Sequence, residues 1–184
     1  MDSHANAAEH RMSTKHDIRT ARLLKWLQDA YAMEQEAETM MKAMASRIEN
    51  YPALAARIAQ HVQETRNQAQ TLRECIHALG GSVPTTKGLV ASVGAALHAA
   101  GNSMMEDEVV KGIGLSFGFE NTEIATYRAL ILAAERAGAT DIAAVCSQIL
   151  QEEQAMAGWL EQQQDSLVGA FLDREETPGA ESKR

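Results

Sequence analysis

Aromatic residues are scarce in this chain: three Phe, three Tyr and two Trp make up 4% of 184 residues. Sheets lean on aromatic and β-branched side chains, so a sandwich or barrel is excluded. Proline is scarcer still, with Pro52, Pro84 and Pro178 alone, and long stretches run free of breakers. Only two cysteines occur, Cys75 and Cys146, far apart in helical patterns. That rules out a disulfide framework and reads as buried thiols in a reducing compartment. No cluster of Lys and Arg offers the basic face that nucleic acid requires, and the net charge is −8. No run of ~20 apolar residues could span a bilayer, and the polar start MDSHANAAEHRMSTKHD is no signal peptide, so a cytoplasmic protein is expected. What is abundant is alanine, with nine methionines, inside a hydrophobic share of 45%. Both are good helix formers, and the length suits one domain with a real core.

Four long helical patterns follow in order. The first spans about Arg19 to Glu49, with Leu23, Leu27, Tyr31, Met41, Met44 and Ile48 on one stripe. Pro52 opens the second, which carries Leu54, Ile58, Leu72, Ile76 and Leu79 and stops at Gly80-Gly81. The third spans about Met104 to Ala137, with Ile113, Phe117, Ile124 and Tyr127, and Gly138 ends it. The fourth starts near Thr140, a suitable N-cap, and carries Ile142, Val145, Ile149, Met156, Leu160 and Leu167. Residues 1–17, with His4, His10 and His16, and residues 173–184 read as disordered polar tails around a domain over 18–172. Gly112, Gly114 and Gly118 in the third helix predict a close helix approach or a local distortion; no strand precedes them and no Lys follows as a phosphate loop needs.

Short links join helices one to two and three to four, which makes each pair antiparallel. The link from Gly81 to Ser103 is long and holds a weakly apolar piece, Leu89 to Leu97. An all-α protein of two antiparallel helix pairs, joined by a long crossover with a short extra helix, is the ferritin-like four-helix arrangement.

Several acids fall on the apolar stripes. Glu34 stands between Tyr31 and Met41, Glu120 between Phe117 and Ile124, and Glu153 between Ile149 and Met156. Glu123 lies one position off its stripe, and Glu152 also flanks its own. In the second helix His61 is on the seam with Ile58, Thr65, Gln68 and Leu72, while Glu64 is on its flank. A buried carboxylate costs several kcal/mol or takes up a proton, and several together call for cations. Hard oxygen ligands suit iron and manganese. The acids also share a height: each lies about 14–18 residues from its own hairpin turn, roughly 21–27 Å along the helix. Each has a plainer reading as well. Glu34 or Glu64 can reach solvent, His61 can be a satisfied core histidine, and the tyrosines can be core packing.

The segments DAYAMEQEAE, HVQETRNQAQTLREC, FENTEIATYRAL and LQEEQ resemble the ferritin-like YciE/YciF family of bacterial stress-associated proteins. The likeness runs from about Arg19 to Leu172. It matches that family's motifs at Glu34, at His61 with Glu64 and Thr65, at Glu120 with Glu123, Ile124, Ala125 and Tyr127, and at Glu152-Glu153. The resemblance implies a four-helix bundle with an extra crossover helix, often a homodimer, and a two-metal site. Rubrerythrin and its wider class place E-x-x-H on helices two and four; here Asn67 and Met156 stand where those histidines would be. His61, one turn before Glu64, can take the place of one.

Two functions are therefore expected. One is a di-metal carboxylate protein, with iron or manganese held by Glu34, Glu64, Glu120, Glu123 and Glu153 and by His61, handling peroxide, O₂ or iron. The other is a metal-free, non-catalytic bundle acting as a stress-response interaction module. A DNA-protecting cage is disfavoured by the charge and the absence of a basic tail.

Overall fold

A computed structural model describes residues 2–84 and 106–182, with side chains from Lys15 onward. Among the described residues there are four helices and no strand: α1 (Asp2–Ala45), α2 (Pro52–Ala78), α3 (Glu108–Ala137) and α4 (Thr140–Glu175). The weakly apolar piece at 89–97 lies outside the described residues. None of the described helices is long and apolar enough to cross a membrane.

The two hairpins form as their short links dictate, and α1 also packs on α3 and α2 on α4. Contacts fix the directions. Arg66 of α2 meets Glu38 of α1, and one α2 turn pair later Arg73 meets Tyr31, so α2 runs back along α1. Arg47 meets Glu108 at one end of α1, and Arg19 meets the Arg136 carbonyl at the other, so α3 also runs against α1. It follows that α2 and α4 are antiparallel neighbours.

Local chemistry sets the helix ends. Gly80 takes φ +75° after α2, where the Gly81 N–H bonds the Ile76 carbonyl and the Gly80 N–H that of His77. Gly138 repeats this after α3 at φ +76°, with the Ala139 N–H on Ala134. Both satisfy carbonyls that a helix end orphans. The start of α4 differs from the sequence expectation: Ala139 is the N-cap and Thr140 the first helical residue, with no side-chain cap bond. Of the three glycines in α3, Gly112 is explained, since a Cβ there would come within 3.2 Å of Met44 Sδ. Gly114 and Gly118 face open space, and nothing in the structure explains them.

At the polar ends the helices run as follows. Helix α1 already begins at Asp2, because no Pro or Gly interrupts the sequence up to Ala45. Helix α4 takes in Asp173, Arg174 and Glu175. Beyond it the chain folds back, so that Tyr51 donates its hydroxyl to the Ser182 carbonyl at 2.5 Å. That long-range bond has no local sequence signal.

The core is divided. One apolar cluster holds Leu23, Leu27, Leu72, Ile76, Leu130, Cys146 and Ile149; the other holds Met41, Leu54, Ile58, Ile113, Met156 and Leu160. On every helix the two clusters are separated by buried polar residues: Glu34, His61 with Thr65 and Gln68, Glu120 with Glu123, and Glu153. The shared height expected of the acids is thus a belt across the bundle.

Two glycine substitutions test this description with opposite signs. Gly138→Ala forces a side chain into the left-handed region and should cost about 1–2 kcal/mol. Gly118→Ala adds a methyl in open space within a helix and should gain about 1 kcal/mol. Thermal melting of both variants checks the pair; a stabilised Gly138→Ala would contradict the α3 terminus.

Candidate metal centre

His61 is the centre of the belt. It sits on α2 with no exposed surface, and both ring nitrogens face carboxylates. Nδ1 lies 2.7 Å from Glu64 Oε2. Nε2 lies 3.2 Å from Glu120 Oε2 and 3.3 Å from Glu153 Oε2. Where Glu64 and Glu120 are ionised they only accept hydrogen bonds, so both nitrogens then carry protons and the ring is a cation. Burial pulls the imidazole down, but the hydrogen bond to Glu120 and the charges of Glu120 and Glu153 overcome it and raise its pKa to about 11.

The acids around it are short of donors. Glu123 Oε1, Glu153 Oε2 and Glu34 Oε2 are buried with no hydrogen-bond partner, and so is Gln68 Oε1. Glu153 Oε2 is near His61 Nε2 but off the donor direction. Burial and the charges of Glu34, Glu153 and Glu120 push Glu123 well above the carboxylate range. Burial and Glu153 do the same to Glu34, against the pull of Tyr127 and His61. Burial lifts Glu120 to about 7 although His61 opposes it.

One potential ligand atom each from His61, Glu120, Glu123 and Glu153 lies within 4.8 Å of the others, and all four residues are buried. Such a set of carboxylate oxygens and one imidazole fits a hard or borderline divalent cation. Glu34 adjoins the group, buried, with the Tyr127 hydroxyl donating to its Oε1. Glu64 stands outside it. Its carboxylate is partly exposed and also accepts from Arg57 at 3.1 Å and Gln60 at 2.8 Å. Those donors, with His61, hold it below the usual range against the effect of burial.

Two further residues complete the belt. Gln68 donates its amide to Glu153 Oε1 at 2.5 Å and to Glu152 Oε2 at 2.9 Å. A neutral amide on a seam carries no sequence signal of that role. Tyr127 serves Glu34, whereas Tyr31 points elsewhere: its hydroxyl accepts from Arg73 at 2.8 Å, and the guanidinium lies 5.7 Å from its ring centre. Asn67 pairs with Gln63 at the surface, and Met156 is buried in the apolar core, so neither position supplies a histidine's substitute.

An antiparallel bundle of two hairpins with a buried belt of glutamates and one histidine is a ferritin-like four-helix fold whose core is compatible with a metal site. Residues 19–173 match the family described as Domain of unknown function (DUF892), and the chain belongs to that family. A solved protein of Xanthomonas campestris pv. campestris is 51% identical, with a TM-score of 0.75, covering 86% of this chain and 99% of that one. The Desulfovibrio desulfuricans bacterioferritin, a diiron protein, is similar in fold at 21% identity, TM-score 0.69 and 84% of each chain. A ferritin-like, diiron-carboxylate protein of Bacillus anthracis is similar at 16% identity and TM-score 0.65, over 79% of this chain and 97% of its own.

The titrations fix a sign for pH dependence. Glu120, Glu123 and Glu34 hold protons in the fold that the unfolded chain releases near 4.5. His61 has the same sign, raised from 6.5. The folded metal-free protein therefore binds more protons than the unfolded chain, and its stability falls as pH rises from about 4.5 through about 7. Melting temperatures in chelator between pH 5 and 8 should fall with pH; a flat or rising curve would contradict the buried cluster.

Proposed function

We propose that this protein is a di-metal carboxylate protein of the YciE/YciF type, stress-associated, binding iron or manganese and handling peroxide, O₂ or iron itself. The observation that carries the proposal is the set of orphaned buried oxygens on Glu34, Glu123, Glu153 and Gln68 around His61. An uncompensated buried acceptor is costly, and a metal pair supplies the missing positive charge.

In this reading Glu34, Glu120, Glu123 and Glu153 would hold the metals through their carboxylates, and His61 would join them through Nε2 in its neutral form. Glu64 then acts one step away, keeping the Nδ1 proton and fixing the ring, as carboxylates behind ligating histidines do. Gln68 holds Glu153, and Tyr127 holds Glu34 while offering a proton beside the site. The two apolar clusters above and below keep bulk water out. When bound, the metals supply redox chemistry toward peroxide or O₂. A homodimer in the cytoplasm is part of the same proposal.

A second reading, a metal-free bundle serving as an interaction module, is favoured by one observation: the His61 imidazolium itself places a cation among three carboxylates. The two readings part on one experiment. Anaerobic loading of metal-free protein with Fe²⁺ or Mn²⁺ should give ~2 ions per chain and a raised melting temperature. The double variant Glu34→Gln with Glu120→Gln should then lose at least tenfold in metal affinity while its metal-free form melts no lower. Absence of uptake by the parent protein, with an unchanged melting temperature, would leave the module.

A further inference from the structure

Cys75 on α2 and Cys146 on α4 belong to neither the metal ligands nor their supports. Both thiols are free and buried; Cys146 has no exposed surface and Cys75 keeps 7% of its own. Their register follows from the belt. Gln68 and Glu153 touch across the same two antiparallel helices. Cys75 lies seven residues after Gln68, and Cys146 seven before Glu153. Seven residues are about two turns and return a side chain to the same face within about 20°.

Because the helices are antiparallel, both steps lead the same way along the bundle. The cysteines therefore stand level with each other across the α2–α4 interface, about 10 Å along the axis from the Gln68–Glu153 contact. Leu72 and Ile149 fill the level between, and all four side chains share one apolar cluster. Burial and the neighbouring Cys75 push the Cys146 thiol up to about 12.

We propose that Cys75 and Cys146 form an oxidisable pair, which a peroxide entering the bundle converts to an intrachain disulfide tying the first hairpin to the second. Cys75, the less buried of the two residues, attacks one peroxide oxygen while its proton passes to the departing hydroxide; the O–O bond breaks, one water leaves and a sulfenic acid forms. The Cys146 sulfur then attacks that sulfur; the S–S bond forms, the S–O bond breaks and a second water leaves. Two thiols and one hydrogen peroxide give one disulfide and two waters, with two electrons passing from sulfur to oxygen. Burial keeps both thiols protonated, so the conversion is slow beside that of an ionised thiol. The disulfide would clamp α2 to α4 two turns from the carboxylate belt.

Reduced full-length protein, freed of reductant and metal, is treated with stoichiometric hydrogen peroxide and then unfolded in alkylating reagent. The expected result is an intact monomer lighter by ~2 Da, with neither thiol alkylated. Digestion without reductant should yield one peptide joining Cys75 to Cys146. Cys75→Ser and Cys146→Ser should each abolish the mass loss. Two alkylatable thiols after treatment, a disulfide between chains, or oxygen retained on a single cysteine would overturn the pairing. Use of the metal-free protein keeps this result separate from that of metal loading.

Discussion

Glu34, Glu120, Glu123 and Glu153 share the middle of the bundle with a single histidine, in a core that is otherwise mostly apolar. Desolvation disfavours each negative charge, and the charges disfavour one another. Glu120 and Glu153 raise His61 far above its usual range, so the histidine stays charged where burial alone would neutralise it. Protons and a divalent cation are alternative solutions to this one electrostatic problem. A metal bound there would take the place of protons, and its affinity would depend on pH.

The fold exists around that constraint. Short links at residues 46–51 and 138–139 impose antiparallel hairpins, and the acids' equal distance from those turns brings them level. The apolar residues divide into a cluster on either side, so the belt is shielded from water at both ends. Supporting contacts come from neighbouring helices: Gln68 of α2 on Glu153 of α4, and Tyr127 of α3 on Glu34 of α1. Each orients a carboxylate that sits on a different helix, so packing and site geometry reinforce each other.

Much of this was legible in the sequence because helix periodicity is local. Glu34, Glu120 and Glu153 each have apolar neighbours three or four residues away, which marks an acid as inward-facing, and the structure buries all three. Glu64 read as a flank residue, and it is indeed half turned outward, meeting Arg57 and Gln60 as well as His61. Contacts between helices leave no such trace. Nothing local joins Tyr127 to Glu34, Gln68 to Glu153, or Tyr51 to Ser182, since each depends on how distant segments stack.

The central claim is that the belt is built to hold metal at His61, Glu120, Glu123 and Glu153 with Glu34 adjoining. Anomalous diffraction at the Fe and Mn absorption edges, from crystals grown with either ion, tests it most directly. Anomalous peaks are expected inside the belt, within bonding distance of His61 Nε2 and the carboxylate oxygens of Glu120, Glu123 and Glu153. An empty belt, with His61 still bridging Glu64 to Glu120 and Glu153 in the presence of metal, would contradict it.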